Sequence, residues 1–131
     1  MLHFDKLFAA ALIFMEQQVL PILPLGKKIQ GYALLGLAGY KAEALSDTLY
    51  RNLINQPFIK SINLLTPNKE IDIDMLEAVI SRVLDGIGGK YTVNVAELSS
   101  LPQIQNMVFL DGVVFDKHAI KNIIKIAKEI Q

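Results

Sequence analysis

The sequence predicts an α+β protein in which apolar N-terminal helices precede a C-terminal helix–strand–β-hairpin–helix unit. Three observations lead there. The stretch from Leu7 to Tyr40 holds only Glu16, Lys27 and Lys28 as charged side chains among many apolar ones. Apolar residues then recur at helical spacing in two later segments, near 72–85 and 116–130. Between those segments lie an alternating run, Tyr91-Thr92-Val93-Asn94-Val95, and an Asp111-Gly112 pair between apolar runs, the pattern of a strand and a hairpin turn. With 131 residues the chain is sized for one domain that can bury a core without metal or disulfide. We expect that domain to span 1–131, with a helical, apolar part over 1–65 and a mixed part over 66–131.

Taken in order, Asp5 is placed to cap a first helix whose stripe is Leu7, Phe8, Ala11, Leu12, Met15 and Val19. Pro21 and Pro24 fix their own backbones and push the residues before them out of helical geometry. The helix is therefore expected to end near Leu20, with an extended link over 21–26. A second helical pattern starts near Lys27 and is read as continuous to Asn55. Its first half, Ile29 to Tyr40, carries no charge, and being apolar on every side is expected to be enclosed by other elements. In its second half Ala42, Leu45, Leu49 and Leu53 form the inner stripe, while Asp47 and Arg51 are spaced for an outward i,i+4 ion pair.

Pro57 ends this pattern, and 58–65 fits either a short helix or a strand. Thr66-Pro67-Asn68-Lys69 is a strong turn and the natural seam between the two parts. A further helix begins near Asp72 or Asp74, with Asp74 and Glu77 at capping-box spacing and Leu76, Val79, Ile80, Val83 and Leu84 as its inner stripe. Gly86, Gly88 and Gly89 stop it. Strand 91–95 follows, then the hairpin whose arms are 107–110 and 113–115. Asp116 caps the last helix, where Ala119, Ile120, Ile123, Ile124, Ala127 and Ile130 face inward and Lys117, Lys121 and Lys125 line the far side.

Composition narrows the function. The chain is 52% hydrophobic and 20% charged, with a mean hydropathy of +0.36, so polar surface is scarce. Net charge is zero, leaving no global field to attract nucleic acid or an anionic membrane. Acids dominate between Lys69 and Glu97 while lysines gather at 117–128, an asymmetry able to dock one end of the chain against its middle. Cysteine is absent, which removes disulfide and thiolate chemistry. This composition and the lack of a basic leader before the apolar run point to a soluble, cytoplasmic protein. A membrane span needs about 20 consecutive apolar residues, and the apolar runs before Glu16, between the prolines and after Lys28 are each too short. Two of them could still form a re-entrant hairpin.

Each candidate chemical motif has a simpler structural reading. Gly86-Ile87-Gly88-Gly89-Lys90-Tyr91 lacks the first glycine and the Ser/Thr of a phosphate loop, and it joins helix to strand instead of strand to helix. Glu70, Asp72, Asp74 and Glu77 fail the spacing of a calcium loop and suit a helix start. His3 and His118 have no sequence companions that suggest a triad or metal pair. The lysine row lacks side chains for reading bases beyond Asn122.

What remains is apolar surface that needs cover. The expected function is that of a non-catalytic, homo-oligomeric structural or assembly protein, without cofactor or metal, whose partner is a copy of itself. Its expected self-association surface comprises Leu12, Ile29, Tyr32, Leu35 and Tyr40. The first alternative is a small binding protein or enzyme with an apolar pocket lined by residues such as Phe8, Leu35, Tyr40 and Phe109. The second is a membrane-active protein that uses residues 1–40.

Overall fold

The structure, a computed structural model, describes residues 1–97 and 108–130. Its organising element is the first helix, α1 (Phe4–Phe14), which buries Phe4, Ala10 and Phe14. It packs against α3 (Ala42–Ile54) and against the C-terminal helix α6 (Lys117–Glu129). The N-terminus is tied down by a short antiparallel pair, β1 (Leu2–His3) with β2 (Glu70–Ile71), in register Leu2 to Ile71. The backbone N–H of Phe4 extends this pairing by donating to the Lys69 carbonyl at 2.8 Å. The chain's beginning thus meets the turn that the sequence marks as a seam.

The cap of α1 differs from the expectation. His3, in extended conformation, accepts the Asp5 N–H on Nδ1 at 3.2 Å, while Asp5 lies in the first turn and turns its carboxylate elsewhere. After Phe14 the helix widens into a π-turn over Met15–Val19 and tightens to a 3-10 turn over Leu20–Ile22. Pro21, without an N–H, falls just past the widened turn. Only Leu23 and Pro24 are extended, so the expected six-residue link is two residues long.

Next, α2 (Leu25–Tyr40) and α3 are two helices, not one, broken at Lys41 where φ is −104° and ψ is 21°. A single helix of thirty residues would run roughly 45 Å, well beyond what α1 can cover. The break turns α3 back onto α1. The inner face of α3 is shifted from the expected one: Ser46 and Tyr50 are buried and Leu49 is 42% exposed. The Asp47–Arg51 ion pair forms as expected, at 2.9 Å. Pro57 sits in the first turn of a short helix, α4 (Pro57–Ser61), as position N1 favours.

The core joins the two parts of the chain through Phe4, Tyr50, Leu64, Leu65, Ile71, Ile73 and Ile124. Phe4 and Tyr50 stack at a tilt with ring centres 5.8 Å apart, and the Tyr50 hydroxyl donates to the Thr66 carbonyl. Helix α5 (Ile73–Gly86) is capped by Asp72, which accepts the Met75 N–H at 3.1 Å; the Asp74–Glu77 pair does not serve as the cap. Gly88 and Gly89, at φ of 90° and 88°, end it with the Gly89 N–H on the Leu84 carbonyl at 2.7 Å. Strand β3 (Lys90–Thr92) pairs antiparallel with β4 (Val114–Asp116), Tyr91 opposite Phe115.

The expected hairpin is therefore re-paired. Gly112 does turn the chain at φ of 84°, but Val108–Leu110 coil into a 3-10 turn, so the strand after the turn finds β3. Met107, the first residue of the expected arm, lies outside the described residues. Asp116 caps α6 by accepting the Ala119 N–H at 3.0 Å, and Ile124 and Ala127 are its most buried residues. Among the described residues the anticipated attraction between the acidic middle and the lysine-rich end is realised as one ion pair, Asp85 to Lys117 at 2.5 Å.

Candidate interaction surface

Helix α2 contradicts the expectation that it is enclosed. Among the described residues it is covered along one arc, by the 3-10 turn at 20–22, by α1 and by the 3-10 turn at 108–110, and it meets α3 at its C-terminal end. The arc is set by Gly31, the one buried residue of the helix. A Cβ there would lie 2.5 Å from Leu20 Cδ2 and 3.1 Å from Phe109 Cδ2, so the missing side chain lets α2 settle directly on these two buried residues. Lys27, Leu34, Leu35 and Ala38 flank Gly31 and are half-buried.

The opposite arc faces solvent. Leu25, Ile29, Tyr32, Gly36 and Tyr40 follow one another at three- and four-residue steps, which places them on a single stripe. Leu25 is 72% exposed, Ile29 62% and Tyr40 88%. Tyr32, Leu37 and, in the preceding turn, Ile22 are also exposed. None of these side chains is charged, and Gln30 is the sole polar side chain among the exposed residues of α2.

The five residues of the expected interface thus divide. Ile29, Tyr32 and Tyr40 stand on the exposed arc, whereas Leu12 and Leu35 are half-buried and line a groove of about 300 Å³ beneath the helix. That groove also takes in Met15, Leu45 and Phe109. Of the residues expected to form an apolar pocket, Leu35 and Phe109 line it and Phe8 and Tyr40 do not. Ile22, Leu25 and Leu37 belong to the surface but escaped the sequence reading. Their spacing was visible; which arc faces out depended on Gly31 and on the distant turn at Val108–Leu110.

Two polar features accompany this surface. At the foot of α1, Asp5 accepts the Ser46 hydroxyl at 2.5 Å and pairs with Lys69 at 2.7 Å. Lys69 also reaches Asp47 at 3.5 Å. Burial alone would raise the Asp5 carboxyl, but hydrogen bonds from Lys69 and Ser46 and the lysine's charge outweigh it and hold it below its usual value. Burial would likewise lower the Lys69 ammonium, and its bond to Asp5 and the charges of Asp5 and Asp47 outweigh that and raise it. A lysine held protonated cannot act as a base toward Ser46, so this group ties the core together and is not poised for nucleophilic chemistry.

The second feature is a cleft of about 620 Å³ between the 15–24 bend and the start of α6. Lys27 donates to the Asp111 carbonyl at 3.1 Å on one side of it, and Asn122 donates to Gln18 at 3.2 Å on the other. His118 is exposed at its rim.

Among the described residues no helix is long and apolar enough to cross a membrane, and no three His, Asp or Glu side chains gather as metal ligands. Compared with protein-family models, with curated proteins and with solved structures, the chain matches none.

Proposed function

We propose that this chain is a self-associating structural or assembly module whose contact surface is the outer arc of α2. The observation that supports this reading is the uncharged exposed stripe Leu25, Ile29, Tyr32 and Tyr40. Tyr32 and Tyr40 carry roughly 150–250 Å² of side chain each. With Ile22, Leu25, Ile29 and Leu37 the patch reaches several hundred Å², the order of the ~800 Å² each partner gives to a stable complex. Monomeric proteins seldom leave so much contiguous apolar surface in water.

A second copy is the occupant that an uncharged patch suits best. In a two-fold interface each residue near the axis meets its own counterpart, so any charge there would face a like charge. The arc has none to repel. Rim charge then favours antiparallel α2 helices, because a parallel pair would bring Lys28 against Lys28. The test is solution mass by sedimentation equilibrium, with Ile29→Glu as the interface variant. A concentration-dependent dimer or larger species that Ile29→Glu dissociates supports the proposal; a monomer across the micromolar range overturns it.

The apolar groove under α2 favours a second reading, a small apolar ligand held between α1, α2 and α3. Native mass spectrometry separates the two, since a ligand adds its own mass to a monomer and association multiplies the monomer mass.

A further inference from the structure

We infer that the groove beneath α2 is a binding site for a medium-chain carboxylate, with the alkyl part on the apolar walls and the head group on the Lys41 ammonium. This rests on the reading of that groove as a ligand site and adds the chemistry of the ligand. At about 300 Å³ the groove lies at the small end of small-molecule sites, roughly 300–1,000 Å³. Leu12 of α1, Met15, Leu35 and Ala38 of α2, Leu45 of α3 and the buried Phe109 supply its walls. Such a lining removes hydrocarbon from water and suits an alkyl chain.

Among the described residues Lys41 is the one charged side chain that lines the groove. It stands, exposed, at the break between α2 and α3. There the carbonyl end of one helix meets the N–H end of the next, so the two dipoles offset and the ammonium sets the sign of the field. Among the described residues that ammonium pairs with no carboxylate, and residues 98–107 contain no acid. Glu43 and Asp47, the nearest acids in sequence, do not line the groove; they line a neighbouring cleft that also includes Lys41 and Lys69. Asp47 is engaged by Arg51 and Lys69, and Glu43 lies in the first turn of α3, where an acid favours the helix start.

The head group decides between ligands of equal chain length. In a groove with apolar walls alone, an ionised carboxylate binds worse than the alcohol of the same length, because its lost hydration goes uncompensated. A lysine at the mouth reverses that order. The carboxylate keeps part of its hydration there and accepts a charge-assisted hydrogen bond, while an ammonium head group meets a like charge. A ranking of acid over alcohol over amine therefore reports Lys41 and not the hydrocarbon.

The experiment is an amide NMR titration of the full chain at neutral pH with octanoate, octan-1-ol and octylammonium. Expected are saturable shifts at Leu35, Ala38 and Leu45 with octanoate, an affinity about fivefold above that of octan-1-ol for one exposed charge pair, and the weakest binding by octylammonium. Lys41→Met, which keeps an apolar stem and removes the charge, should erase the advantage of the acid. Saturable binding in which the alcohol equals or exceeds the acid leaves the groove as an apolar site and overturns the carboxylate. No saturable shift with any of these ligands overturns both readings. Octanoate that binds only as an oligomer dissociates shows a second copy in the groove and also overturns the site. Should Lys41→Met fail to fold, the ranking of the ligands on the unaltered protein still decides.

Discussion

At the scale of single residues, the group formed by Asp5, Ser46 and Lys69 sets the pH range over which the fold is firm. The carboxyl of Asp5 is lower in the folded chain than its ordinary 3.8, so its contribution is complete above that value and fades as pH falls through the lowered one. For Lys69, raised above 10.5, the contribution is complete below 10.5 and fades as pH rises through the raised value. Denaturant midpoints measured against pH should thus hold level between these limits and drop outside them, and Asp5→Asn should flatten the acid drop. Lys69→Met should cost about 1 kcal/mol in urea unfolding at neutral pH. The Asp5 side chain is 42% exposed, and solvent screening keeps the figure at that modest level. In the sequence Asp5 stood out as a cap and Lys69 as part of the 66–69 turn, neither as a member of an ion pair. Local roles such as Asp116 at a helix start and Gly112 in a turn were legible because each depends on its near neighbours. The ion pair was not, since it joins α1, α3 and the 66–69 turn, far apart along the chain.

Among the elements, α2 carries the clearest contrast. Gly31 and Gly36 lie on one helix, yet a Cβ at Gly31 meets Leu20 and Phe109 while one at Gly36 meets nothing within 4 Å. Gly31→Ala should therefore lower stability by about 1–3 kcal/mol, through overpacking against two buried side chains. Gly36→Ala, free of any clash among the described residues, should raise it by up to about 1 kcal/mol through helix propensity. Thermal unfolding at matched protein concentration checks both. The helical periods of α1, α2, α5 and α6 could be read from sequence because spacing alone reveals them. Which side of α2 is covered could not, for its apolar residues occur all around and no charge marks the outer arc. The short β1–β2 pair was equally hidden. Two-residue strands carry no alternation, and the pairing depends on the Lys69 turn reaching the chain's beginning. The turn at Asp111-Gly112 was found by its chemistry, but a 3-10 turn at 108–110 removed the partner expected for it.

For the molecule as a whole, the two parts divided by the Thr66–Lys69 turn share one core, since Phe4 of α1 packs with Ile71, Ile73 and Ile124. Exposed large apolar side chains also occur singly elsewhere, such as Phe58 and Val83, but α2 gathers Leu25, Ile29, Tyr32, Leu37 and Tyr40 on one helix. In the proposed self-association, covering that arc would contribute roughly 25 cal/mol for each Å² of apolar surface removed from water. A charge placed on the arc should abolish it without unfolding the chain, because Ile29 and Tyr40 touch little of their own subunit. Tyr40→Glu and Ile29→Glu should therefore keep the far-UV circular dichroism of the parent protein. The most direct trial of the account is the mass of the unaltered 131-residue chain in solution, compared with that of Ile29→Glu. The account predicts a multiple of 14.6 kDa for the first and 14.6 kDa for the second; a parent protein that stays at 14.6 kDa up to high micromolar concentration would contradict it.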